Sequence, residues 1–123
     1  MKNYIYKIII ATIALIIVFE FTIGRKFNQI DEISSKIIIP HIGFNQVIFP
    51  DTAIWSGIDK NSSFYFVHSY RVKKVKSNVK CGHTTYGEKF ISFVEKKNVF
   101  GTQFHPEKSH TAGLKLLKNF VNL

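Results

Sequence analysis

A histidine and a glutamate two residues apart, His105 and Glu107, flank a proline in the run Gly101-Thr102-Gln103-Phe104-His105-Pro106-Glu107-Lys108-Ser109. In extended backbone, residues two apart project from the same face, so these side chains can meet at the C-terminal end of a strand. Pro106 fixes its own φ and biases His105 toward an extended conformation, which favours that meeting. A carboxylate that holds one imidazole N–H leaves the other ring nitrogen free as a general base. The pair is thus two-thirds of a nucleophilic triad. A strand-end histidine beside a surface glutamate fits the same pattern, and residue types alone leave both readings open.

Other chemistry is narrowed by what the chain holds. Cys81 is its one cysteine, so neither an intramolecular disulfide nor a cysteine-based zinc site can be assembled, and a reducing, cytoplasmic setting fits. The five histidines, His41, His68, His83, His105 and His110, show no metal-ligand spacing, so no metal is expected. Seventeen Lys and Arg against eight Asp and Glu give a formal charge of +9. The basic residues occur as pairs (Arg25-Lys26, Lys73-Lys74, Lys96-Lys97) without a run of five or six, which describes a solvated basic surface and not a nucleic-acid stripe.

The elements that must position His105 and Glu107 follow from the apolar pattern. A chain of 123 residues with 46% apolar and 15% aromatic side chains can pack one small domain. Residues 37–40 and 45–49 are β-branched or aromatic and read as strands, punctuated by Pro50-Asp51-Thr52. Residues 52–57 read as a helical turn with Trp55 packed inward. Residues 63–70 (SFYFVHSY) alternate as a strand that delivers side chains to a site. Residues 90–95 and 99–104 flank Lys96-Lys97-Asn98 as a hairpin. Residues 109–123 read as an amphipathic helix capped by the Ser109 hydroxyl, with Leu114, Leu117, Phe120 and Val121 inward and Lys115, Lys118 and Asn122 outward.

The first 23 residues stand apart from residues 24–123. Residues 8–19 (IIIATIALIIVF) are almost wholly apolar, about twelve where a membrane span needs roughly twenty. Residues 4–23 reach that length by including Lys7 and Glu20 near the interfaces. A buried strand-to-helix element and a membrane anchor both remain open. No small-x-small cleavage site follows the run before Gly24.

The phrase QFHPEKS resembles the His/Glu motif of the class I glutamine amidotransferases. Four more segments occur in the order found in one branch of that family, the glutaminase subunits of imidazole glycerol phosphate synthase. They are Ile39-Pro40-His41-Ile42-Gly43-Phe44-Asn45-Gln46-Val47, Tyr65-Phe66-Val67-His68-Ser69-Tyr70, Thr84-Thr85-Tyr86-Gly87 and Ala112-Gly113-Leu114. The resemblance covers roughly residues 18–123. It implies an α/β, flavodoxin-like three-layer domain, here incomplete, with a mixed sheet and a C-terminal helix. It implies that His105 is the general base and Glu107 its orienting carboxylate in glutamine hydrolysis to glutamate and ammonia through a cysteine thioester. His68, Ser69 and Tyr70 match the segment that lines the glutamine pocket. Phe44 and Asn45 match the segment near the interface with the cyclase subunit, the implied heterodimeric partner. The chemistry needs no cofactor.

The chain departs from the family at the nucleophile, which sits in a Gly-x-Cys-x-Gly elbow after a buried strand. Counting back from Val18-Phe19-Glu20-Phe21, the ungapped match places Ile10-Ala11-Thr12-Ile13-Ala14 there, with Thr12 at the nucleophile position and Ile16 where a glutamine is expected. A threonine hydroxyl is a far poorer nucleophile than a thiol that is a few per cent ionised. The family's first strands and oxyanion-hole loop have no counterpart in this sequence. A truncated reading frame, a decayed copy and one piece of a split enzyme all fit. The expectations are therefore a glutaminase-type chain inactive by itself, a non-catalytic synthase-binding remnant, a supplier of ammonia to another amidotransferase, or a single-pass membrane protein.

Overall fold

The computed structural model describes residues 37–123 and the backbone of residues 27–29. The apolar stretch of residues 4–23, the elbow match at Thr12 and the boundary at residue 23 lie outside the described residues.

Seven described strands precede the C-terminal helix. They are β1 (Phe27–Gln29), β2 (His41–Gln46), β3 (Ser63–His68), β4 (Tyr70–Val72), β5 (Lys80–Tyr86), β6 (Glu88–Lys96) and β7 (Val99–Thr102). Short 3-10 turns at Ala53–Trp55 and Pro106–Lys108 interrupt them, and the helix α1 runs His110–Val121. The strands form a five-stranded sheet, in which β5 lines one edge of β6 while β4 and β7 share the other and β1 lies outside β4, and a separate β2–β3 pair. Every described pairing is antiparallel. Ile48 bridges to His83 and joins the two sheets through a reciprocal pair of backbone hydrogen bonds of 2.8 and 2.7 Å.

The expected β6–β7 hairpin is present. Lys96 faces Val99, which leaves Lys97-Asn98 as a two-residue turn, and Lys97 takes the positive φ of 54° that such tight turns require. The first predicted strand is displaced. Residues 37–40 are not a strand, and pairing begins at His41, because the partner β3 ends at His68 opposite it. The stretch of residues 63–70 is likewise two strands, broken at Ser69 where the chain passes from the small sheet to the large one.

Alternation along β3 buries Phe64 and Phe66 completely and turns Tyr65 and Val67 outward. The inward residues join Val47, Trp55, Phe90, Phe93, Phe104 and Leu116 in the main core. Trp55, inward on its 3-10 turn as expected, stacks on Phe49 at 4.1 Å and meets Phe93 edge-on at 4.9 Å. Val72, Val79, Ile91 and Val94 form a smaller core on the other part of the sheet.

The helix presents a different face from the one its apolar periodicity predicts. Gly113 and Leu116 are buried and Ala112 and Phe120 pack on the core, whereas Leu114, Leu117 and Val121 are exposed. Two contacts fix this rotation. A Cβ at Gly113 would collide with the Pro106 carbonyl, and the Asn119 amide donates to both Ile54 O and Ser56 O at 2.8 Å. Polar anchoring thus overrides the apolar count. Leu116→Ala is expected to cost about 2–5 kcal/mol and Leu114→Ala less than about 0.5 kcal/mol, read as the shift in urea midpoint.

Candidate active site

The Pro106–Lys108 turn determines where His105 and Glu107 point. Pro106 opens the turn and His105 is extended before it, at φ −96° and ψ 98°. The His105 N–H donates to Tyr65 O at 2.8 Å, which pins the turn to the outer side of β3. His105 Nδ1 lies 2.9 Å from Glu107 Oε1, so the ring donates its Nδ1–H to the carboxylate. The two side chains meet as residues two apart, but across a 3-10 turn and not by strand alternation. Both are substantially solvent-exposed, at 37% for His105 and 56% for Glu107. Nε2 of His105 makes no hydrogen bond among the described residues and is the nitrogen open to a proton donor.

Ser109 is buried beneath this pair. Its hydroxyl donates to His105 O at 2.6 Å and accepts the Tyr65 N–H at 2.9 Å. The helix does begin after Ser109, but the hydroxyl does not cap its first turn as the sequence predicts; it is engaged by β3 and by the residue before the Pro106–Lys108 turn instead. Nothing in the local sequence reveals this, because the β3 partner lies forty-four residues away.

Next to the turn lies an aromatic face. Phe44, 49% exposed, stacks on the His110 ring at 4.9 Å and meets Tyr65 edge-on at 5.4 Å, and the Lys108 ammonium lies 5.8 Å over Tyr65. Beside it, the Asn45 amide donates to Thr85 O at 2.9 Å and ties β2 to the end of β5.

His68, Ser69 and Tyr70 straddle the break between β3 and β4. The register of β2 on β3 puts His41 opposite His68, with His41 Nδ1 2.9 Å from His68 Nε2 and His68 Nδ1 2.8 Å from Tyr70 O. His41 is buried, its ring held between Phe66 and Tyr86 at 4.8 and 3.8 Å. Sequence reasoning leaves His41 out of the site; only the β2–β3 register brings it to His68. Burial, and secondarily the neighbouring His68, lower the His41 pKa to about 4. Burial is also the largest influence on His68, which is lowered further by Arg71 and His105 against the opposing Tyr70 carbonyl.

Cys81 is half-buried against the smaller core, with its thiol 3.5 Å from Val79 O and its pKa raised by burial. His105 hangs from β3 beside the main core. The sole thiol of the sequence thus packs against the smaller core, and burial disfavours its thiolate form. Among the described residues no group of three or more His, Cys, Asp and Glu is placed to hold a metal, and no helix is long and apolar enough to cross a membrane. A cleft of about 470 Å³ lined by Asp51, Thr52, Trp55, Ser56 and Lys60 contains none of the site residues.

Two outcomes are expected. Ser109→Ala leaves the Tyr65 N–H without its acceptor and the His105 carbonyl with the Lys108 N–H alone, and costs about 1–3 kcal/mol, measurable by denaturant unfolding. The second concerns pH. His41 is a base whose folded pKa lies below its unfolded value of 6.5, so the unfolded chain binds the extra proton between the two values. Its contribution is complete above about pH 6.5 and is lost as pH falls to about 4, a decline on the order of 3 kcal/mol in unfolding free energy. His41→Phe should flatten that decline in a series of melts between pH 7 and pH 4.

Residues 14–123 match the family model described as glutamine amidotransferase class-I. The imidazole glycerol phosphate synthase subunit HisH of Acinetobacter baylyi is 54% identical over 85 residues, covering 68% of this chain and 42% of the relative. The subunits of the same name from Pelagibacter ubique and Methanocaldococcus jannaschii are 44% and 46% identical, covering 82% and 80% of this chain and 49% and 47% of theirs. The chain thus spans about half the length of the curated relatives it matches. A crystal structure from Thermoplasma acidophilum, that of a protein described as a GMP synthase subunit, superposes with a TM-score of 0.64 at 17% identity, over 80% of this chain and 48% of that one. The strands and C-terminal helix are therefore part of an incomplete flavodoxin-like α/β domain. With the family model matching nearly the whole chain, the protein belongs to the class I glutamine amidotransferase family.

Proposed function

We propose that this chain carries the acid–base half of a glutaminase site, which serves imidazole glycerol phosphate synthase and docks its cyclase subunit. The observation that carries the reading is the His105 Nδ1–Glu107 Oε1 contact of 2.9 Å with Nε2 left open. In this reading Nε2 takes the proton of a cysteine thiol, and the thiolate attacks the side-chain amide carbon of glutamine. The imidazolium then protonates the departing nitrogen, which leaves as ammonia, and water cleaves the thioester with His105 again as base. Glu107 holds the ring and stabilises its charged form. His68, Ser69 and Tyr70 line the glutamine pocket, and exposed Phe44 supplies an aromatic anchor for the cyclase subunit.

The thiol is the component the sequence does not supply, since Cys81 is engaged elsewhere and Thr12 stands at the matching position. The expected outcome is no detectable ammonia release from glutamine by the purified chain alone, together with formation of a complex with a cyclase subunit. Phe44→Ala should weaken that complex about tenfold or more by calorimetric titration. Robust ammonia release that persists in His105→Ala would overturn the assignment of the base. Failure to bind a cyclase subunit would remove the partner.

A further inference from the structure

The hydrogen-bonded line from His41 through His68 to the Tyr70 carbonyl lies outside the proton transfers just described, yet its direction is determined by chemistry. A carbonyl oxygen accepts and never donates, so the proton on His68 must sit on Nδ1, 2.8 Å from Tyr70 O. A neutral imidazole carries one such proton, which makes His68 Nε2 an acceptor. The nitrogen 2.9 Å away, His41 Nδ1, is then the donor.

The surroundings keep the line neutral. His41 faces the Phe66 and Tyr86 rings and the edge of Phe90, and the Tyr86 hydroxyl is already donated to Ile38 O at 2.7 Å. His68 faces Phe66 and Phe90, with Arg71 and His105 as its charged or titratable neighbours besides His41. The carboxylate nearest Arg71, Glu88, is bound to that guanidinium at 2.8 Å and also draws Lys73. A second proton on His68 would force it to donate from both nitrogens and would reverse the His41–His68 bond.

The line spans a weak point of the backbone. Ser69 is the single residue between β3 and β4, where the chain leaves one sheet for the other. The His68 ring reaches across it to hold Tyr70. We propose that His41 is a positioning residue: by donating its Nδ1–H to His68 Nε2 it holds the His68 ring in place to donate to Tyr70 O and thereby sets the Ser69–Tyr70 backbone against which glutamine binds. The substrate part rests on the reading under Proposed function; the lock itself does not.

Nitrogen-15 labelling of the histidines in the full chain, with long-range proton–nitrogen correlation spectra, reads which ring nitrogen carries each proton. At neutral pH both His41 and His68 should be Nδ1–H. His41→Phe keeps an aromatic ring in the stack and removes the donor. The His68 Nδ1–H signal should then shift as the ring loses its second anchor, the Ser69 and Tyr70 amide resonances should move, and the dissociation constant for L-glutamine followed at those amides should rise about tenfold. His41→Asn, which returns an N–H near the Nδ1 position, should restore the signals of the unsubstituted chain. A His68 ring signal and a Tyr70 amide unchanged in His41→Phe would overturn the lock. Glutamine that leaves Ser69 and Tyr70 undisturbed while the lock holds would instead refute the pocket.

Discussion

The Ser109 hydroxyl is the interaction on which the arrangement of the site depends. It is 1% exposed, and it joins the carbonyl of His105 to the N–H of Tyr65. Three elements meet at that oxygen: the outer backbone of β3, the Pro106–Lys108 turn and the start of α1. The Gly113 N–H closes the knot by donating to Ser109 O at 2.9 Å, in a space that has no room for a Cβ. A buried polar group left unpaired is costly, so the turn has little freedom to swing His105 away from β3. The direction of His105 is thus a consequence of a serine hydroxyl that bonds to neither the imidazole ring nor the Glu107 carboxylate.

β3 is the platform that makes this economical. Its inward side places Phe64 and Phe66 in the core, where each buried phenyl ring contributes about 1.5–3 kcal/mol. Its outward backbone at Tyr65 holds His105, and its last residue, His68, reaches past the break at Ser69 to Tyr70. The strand that anchors the core therefore also sets the spacing between His105 and the His68–Tyr70 segment. Position along one strand, not loop flexibility, relates the two halves of the site.

The parts of this arrangement that are legible in the sequence are those governed by local chemistry. The Lys97-Asn98 turn, the inward Trp55 and the meeting of His105 with Glu107 all depend on residues within a few positions of one another. What depends on distant partners is not legible. Ser109 reads as a helix cap because its true partner, Tyr65, is remote in sequence. The helix face is misread from periodicity because Asn119 and Gly113, a polar residue and a residue without a side chain, decide how α1 docks while its leucines suggest otherwise. His41 is visible in the sequence as part of a motif but not as a neighbour of His68, since that follows only from the antiparallel register. The identity of the family is legible throughout, because whole phrases of sequence carry it and not single contacts.

Among the described residues, those that orient His105 lie within residues 65–113: the Tyr65 carbonyl, the Pro106 turn, Glu107, Ser109 and the close approach of Gly113. His105, His41 and His68 sit in different environments. His41 and His68 are held neutral by burial, and His105 itself helps to lower the His68 pKa. His105 is the one of the three with a carboxylate partner. A proton released nearby is therefore rejected by the buried pair, because burial disfavours their charged forms.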